Sequence, residues 1–154
     1  MHRDKNTKLM IEQINNFNDK TSEKVQSKLK LALLERMVKR LDKYKEECAE
    51  CQDYHENMDK ILSTIASYIE NPSKEKLKNY EKEKEDIIKH FKQDHELVEE
   101  GYYLQIGISI GISFGLLFGT LMDTIPIGML FGISIGTGIG SHLDSVAKKE
   151  GKII

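Results

Sequence analysis

A chain of 154 residues with a formal net charge of -2 carries no basic field for holding nucleic acid. Two cysteines are too few for a disulfide-stapled secreted scaffold, and the start Met1-His2-Arg3-Asp4-Lys5 leads into no apolar run, so no signal peptide is expected. The composition is split: all 11 glycines lie in residues 101–154, whereas residues 1–100 are dominated by Lys, Glu and Asp. That shift predicts a domain boundary at Gly101, with a charged arm over 1–100 and an apolar segment over 101–154.

In chain order, a short helix is expected over about 4–14, followed by a break at Asn15-Asn16-Phe17-Asn18-Asp19. Ser22 is a candidate N-cap, and Val25, Leu29 and Leu33 begin a helical stripe. Leu34, Met37, Leu41, Tyr44, Cys48, Cys51, His55, Met58, Leu62, Ile65 and Ile69 then alternate steps of three and four, the spacing of a coiled-coil seam. Asn71-Pro72-Ser73 ends this helix, with Ser73 as the next cap. Leu77, Tyr80, Lys84, Ile87, Phe91 and Val98 keep the spacing on a second helix. The expectation is an antiparallel coiled-coil hairpin of helices 22–70 and 73–100, the second running on into the segment that follows. Helix 22–70 is the longer and must bend or splay. Its Lys- and Arg-rich part, 20–45, either lies on an anionic membrane surface or stays solvated.

Cys48-x-x-Cys51 with His55 on one helical face invites a zinc reading, and pairing about the 71–72 turn brings His95 near Cys48. Small core thiols at seam positions are the competing reading and the stronger one, so no metal and no cofactor is assigned. No phosphate loop or nucleophile–base motif is present in the sequence, and no enzymatic activity is expected. His90 and His95 read as surface residues.

Residues 101–122 are free of charge, as are 124–143 with His142 neutral, and Asp123 lies between them. A bilayer core takes roughly 20 apolar helical residues, so each run is long enough to span. A buried hairpin in a soluble protein is the alternative, but the arm is too polar to wrap it. The loop 123–126 has no Lys or Arg. Lys148, Lys149 and Lys152 follow the second run, and Lys89 and Lys92 precede the first, so both termini are expected in the cytoplasm. Pro126 suits a first helical turn.

The first run carries Gly107, Gly111, Gly115 and Gly119, the second Gly128, Gly132, Gly136 and Gly140. Glycine is a poor helix former, so two unbroken runs at every fourth position call for close helix–helix approach. Pairing by depth about the loop sets Gly119 against Gly128, Gly115 against Gly132, Gly111 against Gly136 and Gly107 against Gly140. Ser109, Ser113, Ser134 and Thr137 either serve a second interface or bond back to their own helices.

These glycine runs, with the tail Asp144-Ser145-Val146-Ala147-Lys148-Lys149-Glu150-Gly151-Lys152, resemble the short glycine-zipper hairpin membrane proteins of Gram-positive bacteria. The resemblance covers 101–154 and implies a two-span hairpin with a charged tail, with no defined activity. The expected whole is all-α: a cytosolic coiled-coil arm, then a two-helix transmembrane glycine-zipper hairpin in the cell membrane. Its expected role is a membrane-anchored interaction or scaffold protein that self-associates or binds a coiled-coil partner. The alternative is an oligomeric, membrane-permeabilising effector gated by the arm.

Overall fold

The computed structural model describes residues 5–154, and the fold is helical throughout, with no strand among the described residues. The helices are α1 (Lys5–Lys20), α2 (Glu23–Leu29), α3 (Leu31–Tyr44), α4 (Ala49–Glu56), α5 (Met58–Glu70), α6 (Lys74–Asp94), α7 (Tyr102–Leu121) and α8 (Ile125–Lys149). The chain divides into two compact units, one running to His90 and including Ile154, the other Phe91–Ile153. The division falls inside α6, ahead of the compositional boundary at Gly101.

In the N-terminal unit α1 does not stop at Asn15. Thr7, Met10 and Ile14 form one stripe at helical spacing, all buried, and α1 packs through it on α3 and α5. Tertiary burial overrides the poor local propensity of Asn15–Asp19. The helix ends instead at Lys20, where Thr21 Oγ1 donates to Phe17 O at 2.7 Å and Gln26 Nε2 to Asn18 O at 2.6 Å. The predicted start at Asp4 lies outside the described residues. Ser22 stands at the N-cap of α2 but makes no side-chain cap bond.

The long seam helix expected over 22–70 is broken at three places, each with a physical cause. Lys30 adopts a left-handed conformation, φ 49° and ψ 47°. Leu29 and Leu31 lie about 200° apart on a straight helix, and the kink at Lys30 lets both be fully buried. Past Tyr44, Glu46 and Glu47 would place negative charge at the negative end of the α3 dipole, and the backbone turns there until Cys48, at φ -135° and ψ 116°, starts α4. Asn57 then separates α4 from α5, its Nδ2 donating to Asp53 O at 2.9 Å.

Of the predicted seam, Leu34, Met37, Leu41, Met58, Leu62 and Ile65 are buried in the core, and Tyr44 and Ile69 are half-buried. The helix that carries them is not one rod. Beyond the 71–72 turn Ser73 Oγ accepts the Lys76 N–H at 3.2 Å, as an N-cap does. Lys76 Nζ donates to Ser67 O at 2.9 Å and Lys60 pairs with Glu83 at 3.0 Å, so α5 and the first part of α6 run antiparallel. Tyr80 is fully buried and its hydroxyl donates to Leu29 O at 2.5 Å, which ties α6 to the α2–α3 kink.

Burial, with Glu81 adding to it, pushes the Tyr80 phenol well above its ordinary range. The folded state therefore holds the proton longer than the unfolded chain, which loses it near pH 10. The contribution is complete below pH 10 and is lost as the pH rises beyond it. Tyr80→Phe should destabilise the N-terminal unit by about 1–3 kcal/mol, because a buried carbonyl loses its donor. It should also flatten the decline in stability above pH 10 relative to wild type. Urea unfolding followed by circular dichroism at neutral and alkaline pH measures both.

Candidate functional site

The C-terminal unit does not continue α6 into α7. Residues 95–101 are non-helical, with Glu96 at φ 52° and Gly101 at φ 81°. Val98 there pairs with the tail in an isolated parallel bridge to Ile153, and its N–H donates to Lys152 O at 2.9 Å. Lys152 Nζ lies 2.9 Å from Glu96 and 3.3 Å from Glu150, and these carboxylates hold the ammonium pKa above its ordinary value.

From Tyr102 the chain forms α7 and α8, both long and apolar enough to cross a membrane. At 20 and 25 residues they measure about 30 and 37 Å. The turn between them is tight. Asp123 takes φ 51°, a conformation that aspartate tolerates better than most side chains. Thr124 N–H donates back to Gly119 O at 2.8 Å, and Pro126 sits in the first turn of α8.

α7 and α8 meet backbone to backbone. The hydrogen that occupies the Cβ position of Gly132 points at Gly111 O, which lies 2.1 Å from where a Cβ would stand, and Gly111 answers Gly132 O at 2.2 Å. Gly107 and Gly136 repeat this reciprocal arrangement at 2.3 and 2.1 Å, Gly115 and Gly128 at 2.6 and 2.4 Å. Contacts of this kind are weak C–H···O hydrogen bonds, worth about 0.5–1 kcal/mol each. The pairs matched by depth also touch, through Cα: the Gly128 position lies 2.5 Å from Gly119 Cα, that of Gly132 2.9 Å from Gly115 Cα, that of Gly107 3.1 Å from Gly140 Cα and that of Gly111 3.3 Å from Gly136 Cα. Gly107, Gly111, Gly115, Gly128, Gly132 and Gly136 are therefore each interleaved between two opposite glycines. Gly119 abuts Ile125, and Gly140 abuts Tyr103 and Leu104.

This packing turns the bulky side chains outward. Phe114, Leu117, Leu121, Leu130, Phe131 and Ile135 are each at least 59% exposed. Ser109, Ser113, Thr120 and Ser134 donate to carbonyls three or four residues back on their own helices. At the other end of the hairpin Asp144 of α8 accepts the N–H groups of Tyr103 at 3.1 Å and Leu104 at 3.0 Å. A carboxylate thus caps the N-terminus of α7, where Gly101 offers no side chain. The sequence reading missed this role. Asp144 falls at the depth of Tyr103 when the chain is folded at its loop, and that was the available signal.

In the N-terminal unit, Cys48 is the N-cap of α4 and its Sγ accepts the Cys51 N–H at 3.4 Å. The imidazole beside them is His90. Its Nε2 lies 3.4 Å from Cys48 Sγ and 3.2 Å from Cys51 Sγ, and Glu50 Oε2 lies 2.8 Å from its Nδ1. Tyr54 packs a tilted ring on His90 at 5.7 Å. Burial, then Glu50 and Asp86, raises the Tyr54 pKa, so the phenol stays neutral.

His90 is buried, against the surface position expected from the sequence, because it lies on the inward stripe of Ile87 and Phe91. His95 directly follows α6, its N–H donating to Phe91 O at 3.1 Å. His55 is engaged elsewhere: its Nε2 lies 2.9 Å from Thr7 Oγ1, and Thr7 Oγ1 donates to Asp42 Oδ1 at 2.9 Å. With its proton directed at a carboxylate and its side chain fully buried, Thr7 acts as a structural link and not as a nucleophile.

Comparison with known protein families, curated proteins and solved structures finds no match for this chain.

A Cβ on Gly132 collides with backbone, which cannot rotate away, whereas a Cβ on Gly138 meets nothing within 4 Å. Gly132→Ala should cost about 1–3 kcal/mol. Gly138→Ala should be neutral or gain up to about 1 kcal/mol. Thermal unfolding of the detergent-solubilised protein compares the two. Asp144→Ala should cost about 0.5–2 kcal/mol through the lost cap, with faster amide exchange at Tyr103 and Leu104 as its local signature.

Proposed function

We propose that the chain is a non-enzymatic membrane protein, in which α7 and α8 form a two-span glycine-zipper hairpin that anchors the helical N-terminal unit at the cytoplasmic face of the cell membrane. The observation that carries this reading is the inside-out arrangement of the hairpin. Glycines fill the contact between the helices, and the large apolar side chains face outward. Hydrocarbon is the solvent that accepts such a surface, and two helices satisfy their own backbone within it. The absence of Lys and Arg from the loop, against Lys148, Lys149 and Lys152 after α8, supports cytoplasmic termini.

The N-terminal unit is then the module that docks a helical protein partner, a second copy of this chain included. Among the described residues nothing favours a water-filled path through the hairpin. The hydroxyls of Ser109, Ser113, Thr120 and Ser134 are spent on their own helices, which leaves no polar stripe for water to follow.

Alkaline carbonate extraction of membranes should leave the protein in the pellet. A Thr124→Cys variant should react with a membrane-impermeant maleimide on intact cells, and a Ser145→Cys variant only after lysis. Release into the carbonate supernatant would refute the anchor. Dye leakage from vesicles at low protein-to-lipid ratio would replace it with a permeabilising role.

A further inference from the structure

We propose that Cys48, Cys51 and His90 form a structural zinc site within the N-terminal unit. Their donor atoms, Cys48 Sγ, Cys51 Sγ and His90 Nε2, all lie within 4.8 Å of one another. The edges of this triangle have the dimensions of a coordination sphere. A tetrahedral zinc ion with Zn–S about 2.3 Å and Zn–N about 2.0–2.1 Å sets S···N edges of roughly 3.5 Å. The two S···N distances are 3.4 and 3.2 Å.

Local structure prepares each donor. The break after Tyr44 places Cys48 in an extended conformation at the head of α4, with Cys51 one turn on, so both sulfurs reach the same point. The Cys51 N–H donates to Cys48 Sγ at 3.4 Å and fixes the direction of that sulfur. His90 reaches the sulfurs through Nε2, and Glu50 beside Nδ1 favours the tautomer that carries its proton there. A carboxylate beside the ring nitrogen that faces away from the sulfurs is an outer-shell arrangement common to zinc-bound histidine. Cys51 is fully buried and His90 is 5% exposed, while Cys48 is half-buried and leaves one side open to solvent. In the sequence, Cys48-x2-Cys51 also has the spacing of a zinc-ligand cysteine pair.

Binding forms two Zn–S bonds and one Zn–N bond, one water of the incoming hydrated ion stays as the fourth ligand while the others leave, and each cysteine still protonated releases its S–H proton to solvent. The ion would fasten the start of α4 to α6.

The test uses the full chain in detergent. Purified without chelator, the protein should carry one zinc per chain by elemental analysis. Replacement by Co²⁺ should give tetrahedral d–d bands together with a sulfur-to-cobalt charge-transfer band. Stripping the metal should lower the unfolding temperature, and zinc should restore it.

Cys48→Ser, at the half-exposed position, should weaken the charge-transfer band and the zinc affinity. Glu50→Gln should lower that affinity by about 10–100-fold with the bands retained. His90→Gln should lose tetrahedral binding. Should the buried-site variants fail to fold, the cobalt spectrum of the wild type and of Glu50→Gln still decides. The proposal is overturned by cobalt or zinc binding with no thiolate band, by a reduced protein that takes up neither ion, or by a Cys48–Cys51 disulfide in protein isolated under thiol-protecting conditions. None of these results bears on membrane anchoring, which carbonate extraction reads separately.

Discussion

Everything in the C-terminal unit depends on how closely two backbones approach. At Gly107, Gly111, Gly115, Gly128, Gly132 and Gly136 a carbonyl oxygen of the opposite helix lies 2.1–2.6 Å from the site a Cβ would fill. No other amino acid fits there. The exclusion of side chains from the contact has a second effect, because the apolar bulk of both helices must then point away from it. Close packing and outward hydrophobicity are two results of one choice of residue, and the proposed membrane setting follows from the second.

The N-terminal unit solves a different problem. Its apolar residues keep a regular three-four spacing, which alone would make one long rod. The rod is cut instead at Lys30, at 45–48 and at Asn57, and the pieces fold back over one another and over α1. Each cut brings in polar chemistry. Tyr80 bonds the carbonyl at the first, and the cysteines and His90 gather at the second. Buried polar groups of this kind are tolerated because each has a partner in reach, and they fix which pieces lie together.

The sequence was readable where its signal was periodic. The all-helical class, the two long apolar helices, Pro126 in the first turn of the second and Ser73 as a cap all came from local pattern. Seam periodicity picked out core residues such as Leu34, Leu41, Leu62 and Ile65, but it does not encode helix continuity, so the breaks went unread. Continuity was lost at a lysine in a left-handed conformation, which no composition rule marks. It was gained at Asn15–Asp19 because Ile14 and Met10 bury against other helices. His90 and Asp144 were missed for one reason: their roles are set by partners 39 to 42 and 40 to 41 residues away.

The carboxylate of Asp144 has a consequence for the order of assembly. A helix entering lipid needs its first amide protons satisfied, and for α7 those at Tyr103 and Leu104 are claimed by a residue 40 positions later in the chain. While the ribosome is still making α8, the head of α7 lacks that acid and, in the proposed membrane setting, would have only water or lipid headgroups to bond. It can settle into its final depth once the second helix has returned and delivered its acid. In the proposed membrane setting the two helices would then insert as a pair, and a chain that holds only the first of them would be an unfinished object.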